Sequence, residues 1–155
     1  MNLWQRHERQ RYTDEGCIIL RFETGVEPAF RQLCLRFIRW VRKKYVFPGT
    51  IRIYVKDCEQ VRLLSGRMAY GSFRWFDGDR PPYIRLPARI NNSLREQYSD
   101  EDLYYSVLSS LVHELTHYFQ WAEKLVQSDA VSERQANYYR YRLIETFCRE
   151  EGLPY

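Results

Sequence analysis

The chain has 155 residues, 45% of them hydrophobic and 28% charged, with a net charge of +4 at neutral pH. That is the length of one domain able to bury about two-thirds of its unfolded surface, with the ordinary balance of a soluble globular fold. No stretch approaches the ~20 apolar residues of a membrane span, and the polar first sixteen residues lack the apolar core of a signal peptide. The four cysteines, Cys17, Cys34, Cys58 and Cys148, show no C-x-x-C spacing, which argues against a zinc ribbon or a thioredoxin-type site. A cytoplasmic chain with reduced thiols and no membrane partner is expected.

Taken in order, residues 1–16 read as a mobile or loosely packed arm, with Trp4 as an anchor and His7 exposed and without function. Cys17–Phe22 is a short apolar run expected as a buried strand. Thr24-Gly25-Val26-Glu27 resembles a capping box, and Pro28 suits the start of a helix, where its missing N–H costs little. From Pro28 to Tyr45, Phe30, Leu33, Cys34, Phe37, Ile38, Val41 and Tyr45 recur at helical spacing and define a core face. Opposite them lie Arg31, Arg36, Arg39, Arg42, Lys43 and Lys44. This basic face of helix 28–45 is read as solvated, with nucleic acid or an acidic partner as the alternative.

Thr50–Lys56 alternates Ile51, Ile53 and Val55 against Arg52 and Tyr54, the pattern of a half-buried strand. Asp57–Gly66 is expected to connect through one short helical turn. Arg67–Phe76 reads as a further strand, with Gly71 a bulge or a close backbone approach. Asp77-Gly78 signals a hairpin, lengthened by Pro81-Pro82, and Tyr83–Leu86 follows as a strand whose leading prolines favour a sheet edge. The fold class is therefore α+β: a small mixed sheet of about four strands, packed with helices to one side, in a single domain spanning residues 1–155.

Beyond a loop to Tyr98, Ser99 and Asp102 form a capping box for a helix running to about Leu125. Leu103, Val107, Leu108, Leu111, Val112, Leu115, Phe119 and Ala122 make its buried stripe. Within it stands His113-Glu114-Leu115-Thr116-His117. Residues four apart on a helix lie one above the other, so the two imidazoles address one point, with Glu114 about 100° round the same turn. This is the H-E-x-x-H pattern, two zinc ligands and a carboxylate placed to act as general base.

A catalytic zinc takes three protein ligands, and no histidine follows His117, so the third must be a carboxylate. Glu123 occupies the metzincin third-ligand position, but Gln120 replaces the required Gly and no Met-turn follows. Asp129 fits the first turn of the next helix. Glu133, early in a helix reaching to about Glu150, is the preferred ligand, and Asn137 one turn later shares its face and can hold a ligand histidine.

H-E-L-T-H followed by E-R-Q-A-N resembles the gluzincin class of zinc metallopeptidases, whose pattern is H-E-x-x-H and then E-x-x-x-D on a following helix. Small single-domain members include the minigluzincins and the ImmA/IrrE-like proteases. The resemblance covers the two C-terminal helices and implies a minimal zincin-like domain, with a backing helix, an active-site helix and a C-terminal glutamate helix. It implies His113, His117 and Glu133 as ligands of Zn2+, Glu114 as catalytic base, and Asn137 beside the ligands where the class has Asp. It further implies an endopeptidase rather than an exopeptidase, acting on proteins or peptides. SprT-like DNA-linked proteases use a third histidine that this chain lacks, so the alternatives are a DNA-associated protease of another kind and a catalytically silent metal-binding module. The Tyr83–Leu86 strand is the expected docking edge for an extended substrate. Tyr138, Tyr139, Tyr141 and Arg140 are candidates for an oxyanion donor. The larger gluzincins have a second domain as lower cleft wall. Without it, the tail from Glu150 to Tyr155 is expected near the cleft.

Overall fold

The structure, a computed structural model, describes residues 2–9, 17–75 and 79–155. It is α+β, with a mixed four-stranded sheet and three long helices. The strands are β1 (Ile18–Phe22), β2 (Ile51–Lys56), β3 (Val61–Arg62), β4 (Met68–Ala69), β5 (Ser72–Arg74) and β6 (Tyr83–Pro87). The helices are α1 (Pro28–Lys44), α2 (Asp100–Ala122) and α3 (Asp129–Glu151).

Helix α1 forms as its periodicity predicts, burying Phe30, Cys34, Phe37, Ile38 and Val41, with Trp40 joining the face. Pro28 stands in the first turn, but the expected capping box does not form, because the cap is Glu27 itself and no side chain closes it. The Glu27 carboxylate instead accepts hydrogen bonds from Arg95 and Tyr104. The basic face of α1 is partly committed: Arg31 donates to the carbonyls of Glu23, Thr24 and Val26, Arg36 meets Glu151, and Lys44 meets Glu150.

The sheet order is β1-β2-β6-β5, parallel throughout except for β5, which runs antiparallel to β6. Strand β6 is therefore interior, contrary to the edge position expected for Tyr83–Leu86. Its prolines precede the paired segment, and four of its five residues are buried. The edge is β5. Two further expectations are corrected between β2 and β5. Residues 57–66 contain the strand β3 and no helical turn, and the run from Arg67 divides at Gly71 into β4, which pairs with β3, and β5. Asp77-Gly78 lies outside the described residues.

Helix α2 is capped by Ser99, whose hydroxyl accepts from the Asp102 N–H, and lies between sheet and α3 with most of its residues buried. Residues 2–9 are docked behind it, not loosely packed. Leu3 and Trp4 are fully buried, and Trp4 Nε1 donates to Thr116 Oγ1 at 2.9 Å. The indole stands edge-on to Tyr45 and Phe119. His7 is likewise not an exposed residue: it stacks on Phe119 at 4.2 Å and meets Glu123 at 2.7 Å. Trp4→Ala is expected to cost about 3–5 kcal/mol of stability through the cavity left behind α2, read as a lowered denaturation midpoint.

The C-terminal tail does not approach the cleft. Glu150 and Glu151 are held by Lys44, Trp40 and Arg36 on α1, and Tyr155 packs edge-on to Tyr105. Charge complementarity with the basic face of α1 places it there. No helix among the described residues is long and apolar enough to cross a membrane.

Candidate metal centre

His113 and His117 occupy successive turns of α2, on the side facing the cleft between β5 and α3. After Ala122 the chain reverses, Lys124 taking the left-handed conformation at φ +54° and the Leu125 N–H returning to the Gln120 carbonyl. Ser128 then caps α3 by accepting from the Val131 N–H, with Asp129 in the first turn, as expected of it. Glu133 thereby arrives one turn into α3, opposite the two imidazoles.

The three side chains converge. His113 Nε2 lies 3.1 Å from Glu133 Oε2, His117 Nε2 lies 2.9 Å from Glu133 Oε1, and the two Nε2 atoms are 3.2 Å apart. This group can hold a metal ion. Metal–ligand bonds of 2.0–2.1 Å in a tetrahedron imply donor separations of about 3.3 Å, close to those present. The two imidazoles meet different Glu133 oxygens, and one ligand atom from each residue lies within 4.8 Å of the others, so the group fits the ion with a small turn of the carboxylate.

Each imidazole is oriented by its other nitrogen. His113 Nδ1 is 3.0 Å from Asn137 Oδ1, and His117 Nδ1 is 2.7 Å from Gln120 Oε1. The orientation of Gln120 is fixed, because its Nε2 donates to the Ser132 carbonyl at 3.0 Å and to Gln135 Oε1 at 2.9 Å. Its oxygen must then face His117, so Nδ1 carries the proton and Nε2 its lone pair. Burial, with His117 and Arg140 adding, holds the His113 pKa below its ordinary value against the opposing pull of Glu133 and Asn137. The neutral, ligating form is favoured.

Gln120 was legible in the sequence only as the residue that replaces the metzincin glycine. Its role as the partner of His117 depends on α3 folding back, and only the His117–Gln120 spacing of three on one helix face hinted at it. Removing such a partner costs about 10- to 100-fold in metal affinity, so Gln120→Ala is expected to weaken metal binding by that factor in competition titrations with a chelator.

Glu114 lies beside the ligands and is buried, 8% exposed. Burial pushes its carboxyl up to about 8, the Glu133 carboxylate adding and Arg140 opposing. A divalent cation at the ligand point would draw it back down and favour the carboxylate. The close approach read at Gly71 is made to this residue: a Cβ there would stand 3.0 Å from Glu114 Cγ and 3.1 Å from Oε1. Gly71→Ala is expected to displace the Glu114 carboxylate and leave the metal ligands in place. Metal content, read by elemental analysis, should stay unchanged.

The other carboxylate considered as a ligand, Glu123, is turned away from the site and bound by Arg6 and His7. Of the four oxyanion candidates, Tyr139 is buried and donates to Gln5, Tyr138 lies under the Arg142 guanidinium, and Tyr141 is exposed. Arg140 alone of the four lines the cleft. No family model, curated protein or solved structure matches the chain, and the reading of the site rests on its own geometry.

Proposed function

We propose that the chain is a zinc-dependent metallopeptidase, a minimal zincin-like domain of gluzincin type. The observation that carries the reading is the convergence of His113 Nε2, His117 Nε2 and a Glu133 carboxylate within 3.2 Å, with Glu114 buried beside them. Two imidazoles and one carboxylate are a donor set suited to Zn2+, with one tetrahedral position left for water or substrate. A zinc ion bound there supplies Lewis acidity, acidifying water and polarising a carbonyl.

The chain's own residues supply the remainder. Glu114 accepts the proton of the attacking water and returns it to the leaving amine, the task of a positioned carboxylate base. Gly71 leaves room for that carboxylate, while Asn137 and Gln120 keep the two imidazoles in the ligating tautomer. The cleft, of about 1750 Å³, is larger than the ~300–1,000 Å³ of small-molecule pockets and suits a length of polypeptide. Along it runs β5, an edge strand of the sheet, whose free side can pair with an extended substrate internal to a longer chain. That favours an endopeptidase.

The test is elemental analysis of the purified protein together with hydrolysis of a labelled unfolded protein. About one zinc per chain is expected. A protein that takes up no zinc overturns the whole reading. One that binds zinc and hydrolyses nothing retains the metal site and loses the enzyme.

A further inference from the structure

Arg140 lines the same cleft but takes no part in the ligand set. It stands seven residues after Glu133 on α3, facing Ser109 and Ser110, which lie one turn before His113 on α2. Its Nη2 lies 3.3 Å from each serine hydroxyl and donates to both. The Ser109 hydroxyl passes on to the Ser106 carbonyl at 2.6 Å, and the guanidinium carbon stands 5.3 Å from the centre of the Tyr141 ring. These contacts fix the group, yet none is an anion, and Nε is buried with no acceptor among the described residues. By contrast, Arg36, Arg89 and Arg95 each meet a carboxylate. Of the two carboxylates beside it in the site, Glu133 is taken up by the imidazoles, and neither forms an ion pair with Arg140.

A partly desolvated, pre-oriented guanidinium that forms no ion pair among the described residues, its charge reaching Glu114 only at a distance, has already incurred much of the ordering and dehydration costs of binding an anion. We infer that Arg140, with Ser110 and Ser106 beside it, forms a subsite for a carboxylate of the substrate. The carboxylate is either an acidic side chain next to the scissile bond or the C-terminus of the peptide. The inference rests on the peptidase reading for the word substrate, but the anion site itself does not. One turn of α2 advances about 5.4 Å, a distance that one to two residues of an extended peptide span at about 3.4 Å each.

An oxyanion donor, or a charge that only keeps Glu114 ionised, would act equally on every substrate. A subsite changes the ratio between substrates. The probes are alanine hexapeptides with blocked ends and a single Glu or Gln at each position in turn, and all-alanine peptides with a free or amidated C-terminus. Binding is measured by calorimetry to the zinc-loaded Glu114→Gln protein, which holds peptide without turning it over, and to the metal-free wild type. The peptide carrying the recognised carboxylate is expected to bind about tenfold more tightly than its neutral counterpart. The position of that Glu, or the free terminus, identifies the source of the carboxylate. Arg140→Gln should reduce the preference to below about twofold, while Arg140→Lys keeps part of it. Cleavage by wild type and Arg140→Gln should show the same change in the ratio of kcat/KM.

Equal binding of every acidic and neutral pair to the folded wild-type protein overturns the proposal, whatever the variants do. A preference that survives in folded Arg140→Gln, or a loss of kcat/KM that is uniform over all peptides, overturns it as well. Carboxylate-selective binding without any cleavage by the wild type supports the anion subsite and counts against the peptidase.

Discussion

Replacing Glu114 by Gln is expected to leave zinc in place and to slow peptide hydrolysis about 100- to 10,000-fold, the usual contribution of a positioned general base. The substitution keeps the shape of a side chain that is 8% exposed and packed against Gly71, so no cavity forms. It removes a carboxyl that burial and the Glu133 charge push up to about 8, so a buried titrating group is exchanged for a neutral one. Folding stability should hold or rise slightly. The three donor atoms belong to other residues, and the metal content should stay near one per chain. Parallel measurement of zinc content, thermal midpoint and kcat separates these effects. Activity equal to wild type on protein substrates would remove Glu114 from the mechanism. Loss of zinc along with activity would make it a support of the site rather than the base.

The second large effect is expected from His117→Ala, which should abolish stoichiometric zinc binding. The remaining pair, His113 and Glu133, offers two donors, short of the three that hold a catalytic ion. Metal bound only by the native state stabilises it, by about 4 kcal/mol when its free concentration is 1,000 times Kd. For a chain of this size that is roughly 8–16 °C in the midpoint. Wild type loaded with zinc should therefore lose that margin when a chelator is added, and His117→Ala should melt at one temperature with or without it. Acid should act as the chelator does, since ligating imidazoles must be neutral. Because burial depresses the His113 pKa, that residue stays competent to lower pH than an exposed histidine. A chelator-sensitive midpoint in His117→Ala would show that the metal is held elsewhere.

The docked N-terminal segment bears on both results. Thr116, between Glu114 and His117, faces away from the cleft, donates to the Val112 carbonyl and accepts from Trp4. The helix that presents the ligands is thus held from behind by Trp4, and from the sheet side by Tyr118, whose hydroxyl both donates to the Gly49 carbonyl and accepts from its N–H. Such clamping limits how far the imidazoles drift when the metal is removed, and it explains why the donors stand so near to ligating distances.

Local pattern was enough for α1, β2 and the start of α2. Their information lies in 3.6- and 2-residue periodicity and in a capping serine, all set by neighbours in sequence. The pairing of His113 with His117 was legible for the same reason, and Glu133 and Asn137 could be placed on one helix face by their spacing of four. What the sequence did not determine was every relation fixed by distant pairing. The edge belongs to β5 and not β6 because sheet order follows from crossover connections rather than from where prolines fall. His7 is packed because residues 2–9 meet a helix more than a hundred positions away, and the tail avoids the cleft because its acids find α1. Sequence alone thus specified two histidines, an acid and a preferred third ligand. Tertiary structure decided that the three donors meet within 3.2 Å, that Gln120 orients one of them, and that Gly71 makes room for Glu114, because each depends on elements separated in the chain folding onto one another.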